Sequence, residues 1–276
     1  PKILELTLHN GVDPRSGVQL GLQTGDPDSI TSFDELFSAF AKQMRHFIDI
    51  KIAGNNIIER LYAACLPAPF LSLLIDDCIK KGKDYHDGGA RYDTSYIQGV
   101  GLGSITDALS SIKYHVYDKG ALTLGELVAV LDADFSGHES LRQLFLNKTP
   151  KFGNDDDYAD GIMRRVFEAY YSAIDGRPNS RGGRYGIDLL PTTCHVYFGS
   201  VTGALPDGRK AGRPLSEGIS PVQGADRRGP TAVIKSVAKM DHIRTGGTLL
   251  NQKFSPQLLA TDKGLDNLVH LIRTHF

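Results

Sequence analysis

A chain of 276 residues, 41% hydrophobic and 23% charged, is long enough to bury a full core and has the make-up of an ordinary globular protein. Its formal net charge of −1 gives no whole-chain field for nucleic acid or an anionic membrane. No apolar run approaches the roughly 18 residues of a membrane span, and no signal-peptide core is present, so a cytoplasmic protein with no nucleic-acid or membrane partner is expected.

Three cysteines, Cys65, Cys78 and Cys194, form no CxxC pair. That argues against a disulfide framework and supplies structural zinc poorly, so no metal is expected. The chain has 30 glycines, concentrated at 82–103, 176–186 and 199–229, a pattern of tight turns and not of linkers.

In chain order, residues 2–9 read as the last turns of a helix closed by Asn10-Gly11. Asp13-Pro14 and Ser16-Gly17 then supply turn chemistry for a small hairpin. Ser32 with Glu35 makes a capping box, and Phe33, Leu36, Phe37, Phe40, Met44, Phe47 and Ile48 keep helical spacing on one face. This helix is expected to run to about Ala64, with a bend near Gly54, and Pro67 and Pro69 end it. Its aromatic stripe reads as core. Leu71 to Lys81 is predicted as a second helix, closed by Gly82.

Tyr92 to Gln98 reads as a short strand. Gly99, Gly101 and Gly103 then lead into a helix with Ser104 as its cap. The spacing lacks the third glycine of a dinucleotide fingerprint, and no acidic residue closes a second strand about 20 residues on. A close-packed strand-to-helix turn is therefore the reading. Helices follow over Ile105–Asp118, from Thr123 with its Glu126 capping box, around Glu139–Leu146, and from the acidic run at Asp155–Asp157 to Gly176. That run is read as a solvated helix start favourable to the helix dipole, not as a cation site. Helices alternating with strand-like segments point to an α/β architecture with a parallel sheet or barrel.

The stretch from Tyr185 to Pro221 commits most to fixed backbone. Ile187–Leu190 and His195–Phe198 read as one extended segment broken by Pro191, a residue that marks an edge, a bulge or a break. Such a break exposes Thr192, Thr193, His195 and Tyr197, polar groups that need partners, a bound polar substrate among the candidates. Dense turns follow, in which Arg209, Arg213 and Glu217 are expected to hold the loop through charge-assisted hydrogen bonds. Gly229-Pro230 opens a helix to about Met240, TLLNQKF (248–254) reads as a strand, and Leu265, Leu268, Val269 and Ile272 lie on a last helix.

Together, DGRPNSRGGRY, LPTTCHVYFGSVTGALPDGRKAGRPLSEGISP, GPTAVIKSVAKMDHIRTGGTLLNQKFSP and the opening HNGVDPRSGVQLGLQTGDP resemble the glycyl radical enzymes, the pyruvate formate-lyase-like proteins. The CHVYFGS and GGTLLNQKFSP forms are most similar to the glycerol and propanediol dehydratase branch. The resemblance implies an α/β fold, the second half of a ten-stranded α/β barrel with surrounding helices, in which a thiyl-forming cysteine loop meets a glycyl radical loop.

For the parent enzyme it implies a B12-independent lyase that dehydrates a diol such as glycerol or propane-1,2-diol. Formate acetyltransferase-like or C–N/C–S-cleaving chemistry is the alternative, and a non-catalytic structural domain stands as a different class. The implied cofactor is a glycyl radical installed by an S-adenosylmethionine radical activating enzyme. The implied partners are that enzyme, a small diol-like substrate and a second copy in a homodimer.

None of the three cysteines lies in a GCxE context, and no RVxGY motif occurs. On the resemblance, residues 1–276 form a partial pyruvate formate-lyase-like domain, with the cysteine loop before Pro1 and the glycyl radical domain beyond Phe276. The segment by itself is then expected to be inactive. The same resemblance makes Tyr197 a substrate-facing hydroxyl, with Thr192 and Thr193 as further pocket-lining candidates. His195 is expected on the opposite face as a packing residue and Cys194 as a small buried hydrophobe. Asn251 and Gln252 either line the barrel or pair with backbone.

Overall fold

The computed structural model describes residues 1–275. Helix α1 (Lys2–Leu8) is buried from Leu4 onward and ends where Asn10 (φ 50°) and Gly11 (φ 85°) turn the chain back. The predicted hairpin follows as β1 (Val12–Asp13) antiparallel to β2 (Val18–Gln19). Helix α2 (Phe33–Cys65) starts where the Glu35 N–H donates to Ser32 Oγ, and it continues unbroken through Gly54. Its first half buries Phe33, Leu36, Phe37, Phe40, Met44, Ile48 and Ile52, as the spacing predicts, whereas Ile57, Ile58 and Leu61 in its second half are exposed.

The single helix expected over Leu71–Lys81 is two: α3 (Pro69–Leu74) and α4 (Cys78–Lys81). Asp77 separates them at φ 76°, a left-handed conformation in which its carboxylate pairs with Arg91. Helix α3 ends where Ile75 turns extended (φ −98°, ψ 130°), and the left-handed Asp77 keeps α4 from continuing it.

Strand β3 (Thr94–Gln98) leads through the glycine turn into α5 (Leu102–Ile112). Ser104 does not cap this helix. It sits inside the first turn and exchanges reciprocal hydrogen bonds with Ser216, its Oγ accepting from the Ser216 N–H at 2.8 Å and its N–H donating to Ser216 Oγ at 3.0 Å. The close-packing reading of the glycines holds, since a Cβ on Gly103 would lie 2.6 Å from the Ser220 carbonyl oxygen. After a π-helical turn at Lys113–Asp118 come α6 (Leu124–Asp132), with both halves of its capping box formed, α7 (Glu139–Lys148) and α8 (Asp157–Ile174). The acidic run before α8 is tied down by Lys239, which contacts Asp155, Asp157 and Asp160.

Strand β4 (Arg184–Leu189), α9 (Cys194–Ser200), α10 (Pro230–Val237), β5 (Thr245–Thr248) and α11 (Asp262–His275) complete the order. The strand expected over 248–254 in fact begins at Thr245 and ends at Thr248. Beyond it the Leu249 N–H still donates to Leu189 O, but the Leu249 carbonyl turns to the Ile219 N–H, which takes the chain off the sheet. The sheet is parallel, in the order β3-β4-β5, with Ile97 opposite Ile187 and Gln98 opposite Asp188. Ile97, Tyr185, Ile187 and Leu189 join Leu109, Ile112, Met163, Phe167 and Ile174 of α5 and α8 in one core. The architecture is thus the α/β arrangement with a parallel sheet that the alternation predicts. Among the described residues, no helix is long and apolar enough to cross a membrane.

Inside this core Asp107 of α5 is wholly buried, accepting from the Phe152 N–H at 2.8 Å, with Lys151 Nζ 4.0 Å away. Burial pushes its carboxyl up to about 7 against the opposing pull of Lys151. A folded-state value above the unfolded one means that the native state holds the extra proton between about pH 4 and 7. Stability contributed by this group is therefore present at low pH and lost as pH rises through that window, by about 4 kcal/mol at most. Asp107→Asn keeps an acceptor for Phe152 and is expected to flatten that slope in unfolding titrations at pH 5 and pH 8; an unchanged slope would place the pH dependence elsewhere.

Candidate functional site

Alternation along the parallel strands separates two faces. Ser95 and Ile97 of β3, and Tyr185, Ile187 and Leu189 of β4, are buried toward the helices. Thr94, Tyr96 and Gln98, with Arg184, Gly186 and Asp188, therefore occupy the other face, on which Tyr96 and Gln98 are exposed. Tyr96 lies across this face. A Cβ on Gly186 would stand 3.1 Å from its ring, and one on Gly246 would fall well inside contact distance, so glycine at both positions lets the ring reach from β3 over β4 to β5.

The ring divides the face in two. Toward the strands' N-terminal ends lies an open cavity of about 400 Å³ bordered by Thr94, Arg184, Thr245 and Arg244. Arg244 there is already engaged, bidentate with Glu168 and stacked on the Tyr171 ring. Toward the C-terminal ends, where parallel α/β sheets place their ligands, Gln98 and Asp188 sit side by side in register. Among the described residues no side chain or backbone group hydrogen-bonds the Asp188 carboxylate; its Oδ1 is shut off from solvent, and burial pushes its carboxyl above the ordinary carboxylate range. The C-terminal end is the better candidate on that chemistry, although the larger depression lies at the other.

Pro191 is buried and ends the strand region, and Thr192 and Thr193 follow, both exposed, at the C-terminal end of β4. His195–Phe198, expected to be extended, is helical: α9 spans Cys194–Ser200. The β-branched and aromatic side chains favour a strand here, but tertiary contacts override them. The carbonyls at the end of this helix are captured one by one: Gly199 O by Arg209 Nη2 at 2.7 Å, Phe198 O by Thr202 Oγ1 at 2.7 Å and Tyr197 O by Ser200 Oγ at 2.7 Å. Tyr197 stands 67% exposed on α9, so the structure places it beside the strand end and not on a strand with the two threonines. His195 and Cys194 are half-buried, and His195 Nδ1 is buried without a partner among the described residues.

Arg209 performs the loop-holding role expected of it, donating to the carbonyls of Gly199, Gly203 and Arg213. Arg213 contributes its backbone carbonyl to that set. Gln252 pairs with backbone, donating to Pro230 O at 3.1 Å, and the Asn251 N–H donates to Ser220 Oγ. Sequence reasoning passed over Asp188 and Gln98. A charged residue between Ile187 and Leu189 in an apolar strand was the available signal, because such a group must be paired, neutralised or used.

A sequence model described as pyruvate formate lyase-like matches residues 1–199. The chain belongs to the pyruvate formate lyase-like family. A second model, described as glycine radical, matches residues 215–276. The trans-4-hydroxy-L-proline dehydratase of Clostridioides difficile is 58% identical over 276 residues, all of this chain and 35% of that protein. Its crystal structure with trans-4-hydroxy-L-proline bound superposes with a TM-score of 0.98. The glycerol-bound B12-independent glycerol dehydratase from Clostridium butyricum is 44% identical, with a TM-score of 0.94, over 99% of this chain and 35% of that one. The resemblance read from the motifs is borne out, and so is the fold: the chain corresponds to part of the pyruvate formate lyase-like α/β architecture. It spans about a third of the length of these relatives, 35% in each case.

Arg209 decides whether α9 and its loop hold together in this family member. Arg209→Ala removes the guanidinium donors from the carbonyls of Gly199, Gly203 and Arg213, and is expected to cost about 2–4 kcal/mol in denaturant unfolding. Arg209→Lys, which cannot serve three directions at once, should recover only part of that loss. An alanine variant within about 1 kcal/mol of wild type, the worth of one ordinary hydrogen bond, would show the carbonyls to be solvated by other means.

Proposed function

We propose that the polypeptide carrying this segment is a glycyl radical carbon–oxygen lyase that removes water from a small hydroxylated substrate, and that residues 1–276 form one wall of its pocket. The 58% identity to a dehydratase over the whole chain carries this reading. Between substrate classes, that same identity favours a hydroxylated cyclic amino acid such as trans-4-hydroxy-L-proline. The diol preference suggested by the motifs has the weaker support of the 44% identity to a glycerol dehydratase.

No cysteine or glycine of this chain stands in the sequence context of the radical residues, so no radical step is assigned to them. A glycyl radical, installed by an activating enzyme that uses S-adenosylmethionine, supplies the hydrogen-atom abstraction in such a lyase. What this chain contributes is position and polarity. Thr192 and Thr193 offer hydroxyls at the C-terminal end of β4, Gln98 offers an amide, and Asp188 a carboxylate that no other group hydrogen-bonds among the described residues. Tyr197 is kept as a substrate-facing candidate from the neighbouring helix. The activating enzyme and a homodimer belong to the same proposal.

The test uses the complete polypeptide, activated without oxygen. A glycyl doublet in the EPR spectrum, together with loss of water from trans-4-hydroxy-L-proline or a diol, is expected. Neither signal in a fully activated preparation sinks the lyase reading. Within an active enzyme, Tyr197→Phe separates the roles of that residue: a drop of about tenfold or more in kcat/KM marks a hydroxyl in contact with substrate, and no change removes it from the pocket.

A further inference from the structure

The open face of the sheet combines three side chains whose chemistry together suits one kind of ligand group. Asp188 has a carboxylate with no hydrogen-bond donor among the described residues. Gln98 lies directly beside it in register, exposed. Tyr96, one side-chain position earlier on the same strand face, carries its ring against Gly186 and Gly246, and Gly186 lies two residues before Asp188 on β4. Arg184, the cation on the same face of β4, lies on the far side of Gly186 and of that ring.

A carboxylate, an aromatic face and an amide around one opening form the complement of a protonated amine. The carboxylate accepts a charge-assisted hydrogen bond, the ring attracts the cation through its quadrupole, and the amide oxygen accepts a second N–H. A neutral diol uses none of the charge-dependent part. An unpaired buried carboxylate is also costly unless something neutralises it, and a bound ammonium does so.

We propose that Asp188, Tyr96 and Gln98 form a recognition site for the ammonium group of a hydroxylated amine. This deepens the lyase reading and rests on it for its catalytic meaning, since it makes the substrate a cationic hydroxy compound in preference to a neutral diol. The side chains act as binding groups: they fix one end of the ligand on the sheet, and leave its hydroxyl toward Thr192 and Thr193.

The experiment is calorimetric binding to the complete, non-activated polypeptide with two probes of one shape: 3-hydroxypyrrolidine, protonated at its ring nitrogen, and 3-hydroxytetrahydrofuran, with a neutral ring oxygen. Wild type is expected to prefer the amine by about 10- to 100-fold, the span of one charge-assisted hydrogen bond. Asp188→Asn should abolish most of that preference while leaving the ether's affinity in place, and Tyr96→Leu should reduce it by a few-fold. Because the charge removed is an unpaired one, Asp188→Asn should melt no lower than wild type at neutral pH. Equal affinity for both probes, or a preference that survives Asp188→Asn, overturns the proposal. So does a lowered melting point with the preference intact, which would mark Asp188 as a packing partner only. The lyase reading is judged separately by the radical signal and water loss: its failure alongside an Asp188-dependent preference would leave the amine site standing.

Discussion

The segment from Val201 to Pro221 runs largely through the interior with no regular secondary structure, so its buried N–H and C=O groups need partners that no helix or strand ladder provides. Arg209 answers much of that demand. Its planar fork faces carbonyls from three directions, which a lysine ammonium on a flexible stem does not match. Other elements supply the remainder: Glu5 of α1 accepts from the Gly203 N–H, Arg142 of α7 donates to Gly208 O, Lys151 donates to Asp207 O, and Ser104 of α5 exchanges with Ser216. Burying a loop this way makes it a hub. Helices distant in sequence are held at fixed distances because each satisfies part of the same backbone.

That hub determines what the end of β4 presents. With the last carbonyls of α9 captured, the chain after Pro191 coils into a helix in place of a continued strand, and the sheet stops at Leu189. Thr192 and Thr193 are thereby left at an exposed edge. On the sheet itself the constraint is steric. Tyr96 crosses two neighbouring strands only because 186 and 246 are glycines, and its ring then forms a floor over β4 and β5 on the face that also carries Gln98 and Asp188. Loop and floor are independent in sequence yet meet at one end of the sheet, the end where parallel α/β architectures carry their chemistry.

Much of this was legible from local pattern. The capping boxes at Ser32 and Thr123, the buried stripe of α2 and the glycine turn at Gly99–Gly103 obey short-range rules, and the structure forms them where spacing puts them. The misreadings share a physical cause. Asp77 breaks a helix through a left-handed conformation stabilised by Arg91, fourteen residues away. Ser104 serves Ser216, more than a hundred residues on, and not its own helix end. CHVYFGS has strand-forming side chains, but Arg209 and Thr202 reward the helix. For Asp77 and Ser104 a partner outside the local window overrides the local preference, whereas CHVYFGS is held helical by donors within about ten residues whose role only the folded loop reveals. Asp188 was different: the sign was present, an acid inside an apolar strand, and it lacked only the knowledge of which face it occupies.

Exposure on that face bears on how the proposed chemistry is protected. Radical intermediates survive only where water and stray hydrogen donors are excluded. Here Tyr96 is 48% exposed and Tyr197 67%, and the apolar side chains of Phe70, Leu73 and Leu74 on α3 are similarly open. Large apolar side chains left this open mark surfaces that other protein covers. On the lyase reading, the cover belongs to the remaining two thirds of a chain as long as the relatives, of which this one spans 35%. The division of labour is then clear in physical terms. This segment supplies a rigid wall, pinned by Arg209 and crossed by Tyr96, and Asp188, whose carboxylate has no hydrogen-bond partner among the described residues, is the group whose cost must be offset by whatever the closed pocket holds.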